Sequence, residues 1–552
     1  MYSAASPDLI FANARVFTSN LHQPRAEALA VSGNRILAVG INDEILALKG
    51  SNTRLVDAQQ CTLMPGFIDS HAHLYIGSAE LDNVFLDTVR NLEDLRNMLT
   101  NHVNSHPELA WVCGSHMKYS ILPNDEPLTR HHLDDILPGH PVVLMAYDYH
   151  TVWANTRALE LGGILNGYDP GPTGVVVMGP DGLATGELRE TAAYYPVLRL
   201  AGTWGRVTSE LSEASPQVNP SPDDLRMIKK GLAFLASYGI TSIHNMDGNL
   251  AQLKLYAALE RSGDLAVRIS FPFGITPTTP ASVLEEAALA RFTHRSDILR
   301  VEAAKFFMDG VLESGTAYIL DDYADLPGQK GHPYYTPEQF AEIGSLYDHL
   351  GLQIRVHAIG DAAVRQTLDG LEAIQRRNGV RDSRHRIEHI ELLHPDDLHR
   401  FAELGVIASM QPLHLAGVTF EDDVWLKRAG QSRWGRGFSW RSIRDAGAHL
   451  AFGSDWPVVT PNPMLGLDRA LNRKPWADHL APQSLNLSDS LLSYTREAAY
   501  AEFQEDRKGQ LRPGFLADIV LLSVDLESLP TQEIAKVVPF MTICDGHITY
   551  QA

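Results

Sequence analysis

The sequence predicts an α/β protein: a (β/α)8 barrel of the TIM type, a small β-sandwich domain built from both termini, and an inserted subdomain after the first barrel strand. Three observations carry this. Through the middle of the chain, eight short β-rich runs alternate with longer amphipathic stretches, the rhythm of βα units and a parallel sheet. Both ends read instead as antiparallel strands joined by tight turns. The stretch between the first and second middle runs is much too long for one crossover helix, so it must hold structure of its own.

At the N-terminus, DLIFANARVFTS, AEALAVSGNRILAVG and TRLVDAQQCTLMPG are short apolar segments separated by turn residues. GFLADIVLLSVD and VVPFMTICDGHITY repeat the pattern at the other end, with Ser32-Gly33-Asn34 and Cys544-Asp545-Gly546 supplying hairpin turns. Residues 1–64 and 508–552 are therefore assigned to one sandwich domain and 65–507 to the barrel. The expected barrel strands lie in 66–73, 239–246, 267–274, 301–310, 352–360, 385–392, 405–412 and 449–457. Residues 75–230 form the insertion, which contains a strand-like run at 141–155 and a glycine-rich hairpin-like passage, GYDPGPTGVVVMGPDGLATGEL.

Composition narrows the function classes. With 44% hydrophobic and 20% charged residues, the chain has the apolar material for a core and no signature of disorder. Its 46 basic against 67 acidic residues give a net charge of −21, which repels a phosphate backbone and argues against a nucleic-acid partner. No basic leader followed by an apolar run opens the chain, and no uninterrupted apolar stretch of about 18 residues exists to span a membrane. Cys61, Cys113 and Cys544 are odd in number and far apart, which is neither a disulfide framework nor a CxxC metal site. The expectation is a soluble, cytoplasmic protein, with homo-oligomerisation left open. No GxxxxGK[ST] or GxGxxG follows a strand, which removes the common nucleotide-binding readings.

Chemistry-bearing residues fall at the C-terminal ends of the expected strands, where barrel active sites assemble. They are His71 and His73 on the first, Lys305 on the fourth, His357 on the fifth, His389 on the sixth and Asp455 on the eighth. His71 and His73 are two apart, so on a strand both imidazoles share one face and can share a divalent cation. Taken singly, each histidine reads equally as a satisfied core residue, and Asp455 as a turn or cap aspartate. Lys305 lies among apolar residues in AAKFF, where an ammonium must be paired, deprotonated or modified. It is the ordered placement of all six that departs from chance. His244, Asp309 and Gln411 also fall at strand ends and are candidate substrate contacts, with Trp456 a candidate aromatic wall.

This ordered set resembles the amidohydrolase superfamily of metal-dependent hydrolases, across nearly the whole chain. PGFIDSHAH is similar to the family's first-strand signature, and GQLRPGFLADIVLL to its return into the sandwich domain. KFFMDG (305–310), HAIGDAA (357–363), RIEHIE (386–391), SMQP (409–412), FGSDWPV (452–458) and YTREAAY (494–500) resemble the amidohydrolase-3 branch, to which N-substituted formamide deformylase-type enzymes belong. The resemblance implies two metal ions, zinc first among the candidates. His71 and His73 would hold the buried ion, His357 and His389 the outer one, and carbamylated Lys305 would bridge them. Asp455 would bind the buried ion and shuttle the proton. The lysine's role requires that the run at 141–155 belong to the insertion and not to the barrel. His150, near Asn155, and Glu190 resemble a motif of this branch and are further substrate-contact candidates.

The activity so implied is hydrolysis of an amide-type, non-peptide C–N bond in a small, partly hydrophobic molecule by metal-activated hydroxide. An ester or lactone hydrolase could use the same centre. A deaminase would resemble the family's single-metal sites, which lack the bridging lysine. A non-catalytic binding homologue predicts lost ligands, whereas all six positions here hold competent residue types.

Overall fold

A computed structural model describes residues 6–123, 126–147, 149–171, 174–202, 220–415 and 424–552. The chain divides into two compact units: Met1–His73 with Asn219–Trp456 and Thr460–Ala552, and Leu74–Val218 with Pro457–Val459.

In the first unit, the termini build two sheets. One orders strands Arg35–Gly40, Ala28–Ser32, Leu9–Ala12 and Arg54–Asp57. The other orders His547–Gln551, Pro539–Cys544, Ile519–Leu522, Thr62–Pro65, Arg15–Phe17 and Arg25–Ala26. Ile519–Leu522 pairs antiparallel with Thr62–Pro65, with Val520 opposite Met64, so the C-terminus is stitched beside the strand that leads into the barrel. Phe11, Val16, Leu29, Leu63, Ile519 and Ile543 fill the space between the sheets. Their alternation with outward residues is the pattern a sandwich core demands.

Gly66 separates the last N-terminal sandwich strand from the first barrel strand. A Cβ there would come within 2.2 Å of the Thr241 side chain, so only glycine lets the two barrel strands approach.

Eight strands then run in parallel: Phe67–Ala72, Ile240–Asn245, Arg268–Gly274, Leu299–Phe307, Gln353–Ala358, Arg386–His389, Ile407–Met410 and Leu450–Phe452. Their order in the sheet is their order in the chain, as a (β/α)8 barrel requires. Closure between the first and eighth comes just beyond the last regular strand. The Asp455 amide donates to the His71 carbonyl at 2.6 Å and the His73 amide to the Trp456 carbonyl at 2.7 Å.

Beneath these bonds the barrel interior is charged. Arg386, fully buried, pairs with Glu388 and meets His244 Nδ1 at 2.6 Å. On its other side His244 Nε2 faces Glu502 at 3.2 Å, and Glu502 pairs with Lys508 at 2.7 Å.

The helix Pro222–Ser237 precedes the second barrel strand and belongs to this unit, although it falls partly within the expected 75–230 insertion. Ser221 and Asp224 form a reciprocal capping box at its start.

The second unit holds a six-stranded mixed sheet ordered Val175–Met178, Ala184–Arg189, Thr151–Ala154, Val142–Ala146, Val112–Met117 and Val84–Phe85. Leu95 and Leu99 of helix Leu92–Ser105, and Leu133 of helix Arg130–Ile136, pack against Val142, Leu144 and Trp153. The run at 141–155 is the antiparallel pair Val142–Ala146 and Thr151–Ala154 of this sheet. Lys305 therefore keeps its place on the fourth barrel strand.

Sandwich and barrel share a buried ion pair. Arg268, on the third barrel strand, grips Asp518 through two nitrogens at 2.7 and 2.8 Å and reaches Asp545 at 2.9 Å. Removing one member of a buried pair strands the other's charge. Arg268→Ala is expected to cost about 3–5 kcal/mol, read as a lowered Tm. An unchanged Tm would show that this pair does not hold the two layers together.

Candidate metal centre

The centre grows out of barrel closure. Asp69 sits two residues before His71 and turns both carboxylate oxygens to the opposing strand end. Its Oδ1 accepts from the Ser454 amide at 2.9 Å and the His71 amide at 3.1 Å, and its Oδ2 accepts from the Ser454 hydroxyl at 2.5 Å. Burial raises the Asp69 carboxyl to about 6, against the pull of these same hydrogen bonds. The staple carries the chain directly into Asp455, whose φ of 64° lies in the left-handed region that few non-glycine residues adopt. That turn aims the Asp455 side chain back over the barrel mouth.

His389 uses the same device. Arg386 and Glu388 face the barrel interior, so a regular strand would send His389 outward. A φ of 75° at His389, followed by 52° at Ile390, turns the imidazole inward instead. Backbone strain of this kind persists where surrounding structure enforces it, and concentrates at functional sites.

The resulting donor set surrounds Asp455. His71 Nε2 lies 3.3 Å from Asp455 Oδ1 and His73 Nε2 lies 3.2 Å from the same oxygen. A tetrahedral zinc ion with ligands at 2.0–2.2 Å places its donors about 3.3–3.5 Å apart, close to both of these imidazole–carboxylate separations, and the three donors lie within 4.8 Å of one another. The other Asp455 oxygen, Oδ2, faces His414 Nε2 at 3.6 Å and His389 Nδ1 at 3.9 Å. His71 Nε2, His414 Nε2, Asp455 Oδ1 and the Lys305 amine are all buried without a hydrogen-bond partner among the described residues. Orphaned buried polar atoms are costly, and the imidazole nitrogens and carboxylate oxygen among these are atoms a cation would satisfy.

Two of the rings are tied down on their far sides, His71 Nδ1 donating to Glu388 at 2.9 Å and His73 Nδ1 to Asp247 at 3.0 Å. In His389 the nitrogen that faces Asp455, Nδ1, is itself the one that meets the Gln411 side-chain oxygen, at 2.8 Å. A carboxylate behind an imidazole sets its tautomer and orients its other nitrogen, the usual support of a metal-ligating histidine.

The electrostatics suit a cation. Burial, then the neighbouring Lys305, lower the His71 imidazole below its ordinary value, and burial with His357 and His71 pushes His389 well below. Both are thus neutral donors. Burial would raise Asp455, but His71, His73 and His389 outweigh it and hold the carboxyl far below its usual range. For His73, burial is overcome by Asp247 and Asp455, which raise the ring to about 9. A metal ion bound there would take over that positive charge.

Lys305 is buried on the fourth strand, its amine 4.6 Å from the centre of the Phe307 ring. Burial draws it down to about 8, although Glu388 and Asp455 favour its charged form. His357 packs its ring 4.5 Å from that of His389, while its Nε2 donates to the Gly310 carbonyl at 3.1 Å.

The remaining candidates divide by role. Gln411 orients His389. Asp309 receives the Ile359, Gly360 and Tyr318 amides at 2.9–3.0 Å, which makes it a buried staple between the loops after the fourth and fifth strands. Burial, offset in part by those amides, brings its carboxyl up to about 7. His244 is fully buried in the interior network between Arg386 and Glu502. Trp456 helps close the barrel through its backbone and packs on Phe234.

In the second unit, His150 and Glu190 pair with each other at 3.0 Å. Asn155 caps helix Thr156–Gly162 there, accepting from the Ala158 amide at 3.0 Å.

Sequence reasoning missed Asp69, Asp247, Glu388, Glu391 and His414. Of these, Glu388 and Glu391 lie inside RIEHIE around an expected ligand and Asp69 lies inside PGFIDSHAH, whereas Asp247 and His414 fall in no quoted motif.

Gly453 lets the two strand ends meet. A Cβ there would lie 2.4 Å from the His71 amide nitrogen and 2.9 Å from Asp69 Oδ1. Gly453→Ala is expected to displace His71, lowering both Tm and the metal retained per chain. Wild-type values for both would show that the approach is not tight.

Known proteins agree with this architecture. The amidohydrolase family model matches residues 54–550. Protein LONG AFTER FAR-RED 3 of Arabidopsis thaliana is 30% identical to this chain, covering 94% of it and 87% of that protein. N-substituted formamide deformylase of Arthrobacter pascens is 25% identical, covering 99% and 98% of the two chains. The crystal structure of an uncharacterized metal-dependent hydrolase from Pyrococcus horikoshii is similar at a TM-score of 0.71, with 26% identity over 93% of this chain and 96% of that one. The family match begins on the last strand of the N-terminal sandwich sheet and stops just short of the C-terminus, so it takes in sandwich, barrel and insertion together: the chain belongs to the amidohydrolase family.

Proposed function

We propose that this family member is a two-metal hydrolase that cleaves an amide-type, non-peptide C–N bond of a small, partly hydrophobic molecule. The observation that carries the reading is the shared Asp455. One of its oxygens faces His71 and His73, the other faces His389, and the Lys305 amine, without a hydrogen-bond partner among the described residues, feels the charge of the same carboxylate. In this reading His71, His73 and Asp455 hold one ion, and His389 and His357 belong to the second. Mixed imidazole and carboxylate donors at tetrahedral spacing suit zinc. The likeness to a formamide deformylase supports the amide-type bond.

Lys305 is suited to carbamylation. An amine drawn down to about 8 remains mostly protonated at neutrality but has an uncharged fraction far above that of an ordinary lysine. Its nitrogen can then add to carbon dioxide, forming an N–C bond and releasing a proton. This exchanges a costly buried cation for an anionic oxygen donor.

When bound, such ions lower the pKa of a coordinated water to about 7 and polarise a substrate carbonyl. The protein's own part is orientation and proton transfer. Asp455, held ionised in the resting site, accepts the proton of the attacking water and returns it to the departing nitrogen. Glu388, Asp247 and Gln411 keep the imidazoles turned toward the reacting centre.

Elemental analysis of protein purified without chelators tests the centre. About two ions per chain, with turnover of N-formyl or N-acyl amides, supports the proposal. Turnover confined to esters or lactones would move the bond cleaved and leave the centre standing. A single ion would remove the bridging lysine and reopen deamination, and no ion after reconstitution would indicate a binding homologue.

Two variants examine individual roles. Lys305→Ala is expected to lose one ion and to regain part of it with added short carboxylic acids, and unchanged metal content would displace the lysine from the ligand set. Asp455→Asn keeps one of the two oxygens and is expected to retain at least the His71–His73 ion while kcat falls about 10²–10⁴-fold, the range of general acid–base catalysis. Retained turnover would remove Asp455 from the proton path.

A further inference from the structure

We infer that His414 is a ligand of the second metal ion, completing with His389 and Asp455 Oδ2 a cation site separate from the His71–His73 pair. The inference rests on the two-metal reading above and concerns which side chains hold the second ion.

His414 ends a short 3-10 turn, Pro412–His414, just after the seventh barrel strand. Its surroundings repeat those of His71 and His73. In each of those rings a carboxylate stands behind Nδ1 and Nε2 points at an Asp455 oxygen. For His414 the carboxylate is Glu391, 3.4 Å from Nδ1, and Nε2 lies 3.6 Å from Asp455 Oδ2. Glu391 is itself fixed, because its other oxygen accepts the Trp425 indole N–H at 2.8 Å. The His414 and His389 rings are stacked 8° from parallel with centroids 5.7 Å apart. One donor atom from each of His389, His414 and Asp455 can be chosen so that all lie within 4.8 Å of one another.

A structural role accounts for the Glu391 contact but not for Nε2, which is buried with no hydrogen-bond partner among the described residues. An imidazole nitrogen in that state, facing a carboxylate oxygen near a second imidazole, is what a cation completes. His357 differs. Its Nε2 already donates to the Gly310 carbonyl, so to bind an ion it must give up that bond or use its other nitrogen.

Metal content separates the possibilities without reference to turnover. Wild type, His414→Ala and His357→Ala are each reconstituted with Co2+, and ions per chain and the visible d–d absorption are recorded alongside Tm. The expected result is about two ions in wild type and about one in His414→Ala, with part of the cobalt spectrum lost and the remaining band assignable to the His71–His73 site. Should His414→Ala lower Tm, His414→Phe is read in the same way, since it keeps a ring against His389 and removes both nitrogens. Two ions and an unaltered spectrum in the folded His414 variants would overturn this inference and leave the two-metal reading standing. A wild type that takes up only one ion, or none, would overturn both.

Discussion

The site depends on barrel closure between the first and eighth strands. Those strands are the most remote pair of the barrel, with Asp69 and Ser454 separated by 385 positions, and the loop joining them has the largest entropic cost of ordering in the barrel. Two backbone bonds and the Asp69 staple hold the seam. Asp455 lies at that seam. Its amide helps close the barrel, its strained φ turns the side chain over the mouth, and its two oxygens then face histidines from both halves of the strand set. Assembly of the donor set and completion of the fold are one event. A barrel left open at this seam would lack the first- and eighth-strand ligands in register.

A second constraint is electrostatic. The barrel interior is not the packed aliphatic layer that the fold permits. It carries a chain of charged and polar groups from Lys508 through Glu502, His244, Arg386 and Glu388 to His71. Because the Arg386 guanidinium can only donate, His244 Nδ1 must accept, and the ring's proton then belongs on Nε2 toward Glu502. Arg386 and His71 outweigh burial and hold Glu388 far below the usual carboxylate range. A dependable anion behind His71 follows, and with it the tautomer that leaves Nε2 for a metal. Such networks are costly when any member lacks a partner, so each link constrains the next.

The architecture was legible because it is written in local patterns. All eight barrel strands fall inside or across the β-rich runs, and the terminal hairpins announce the sandwich. The six candidate ligands are proposed from the sequence because barrel chemistry gathers at the strand ends. What could not be read was orientation. Inward and outward faces follow from alternation only while the strand remains regular, and φ values of 75° at His389 and 64° at Asp455 break that rule where it matters. Position at a strand end likewise does not say what a side chain does there. Asp309 spends its carboxylate on three backbone amides, and His244 is committed to the interior charge network. His414 escaped notice because it lies beyond its strand, in a turn without periodicity to mark it.

Histidines at barrel ends are ambiguous in a sequence because a core imidazole and a metal ligand can occupy the same strand position. The structure distinguishes them by how each ring divides its two nitrogens. A core imidazole has groups of the interior at both nitrogens, as His244 has Arg386 at Nδ1 and Glu502 at Nε2. A ligand has an anionic support at one nitrogen and turns the other to a carboxylate at the barrel mouth on which a second ring converges, as His71 does between Glu388 and the Asp455 oxygen that His73 Nε2 also faces. The supporting carboxylates point the same way. Asp247, Glu388 and Glu391 stand behind His73, His71 and His414, the anionic support usual for a metal-ligating imidazole. The identity of the supports behind the imidazoles, more than the count of histidines, is what marks this barrel mouth as a metal centre.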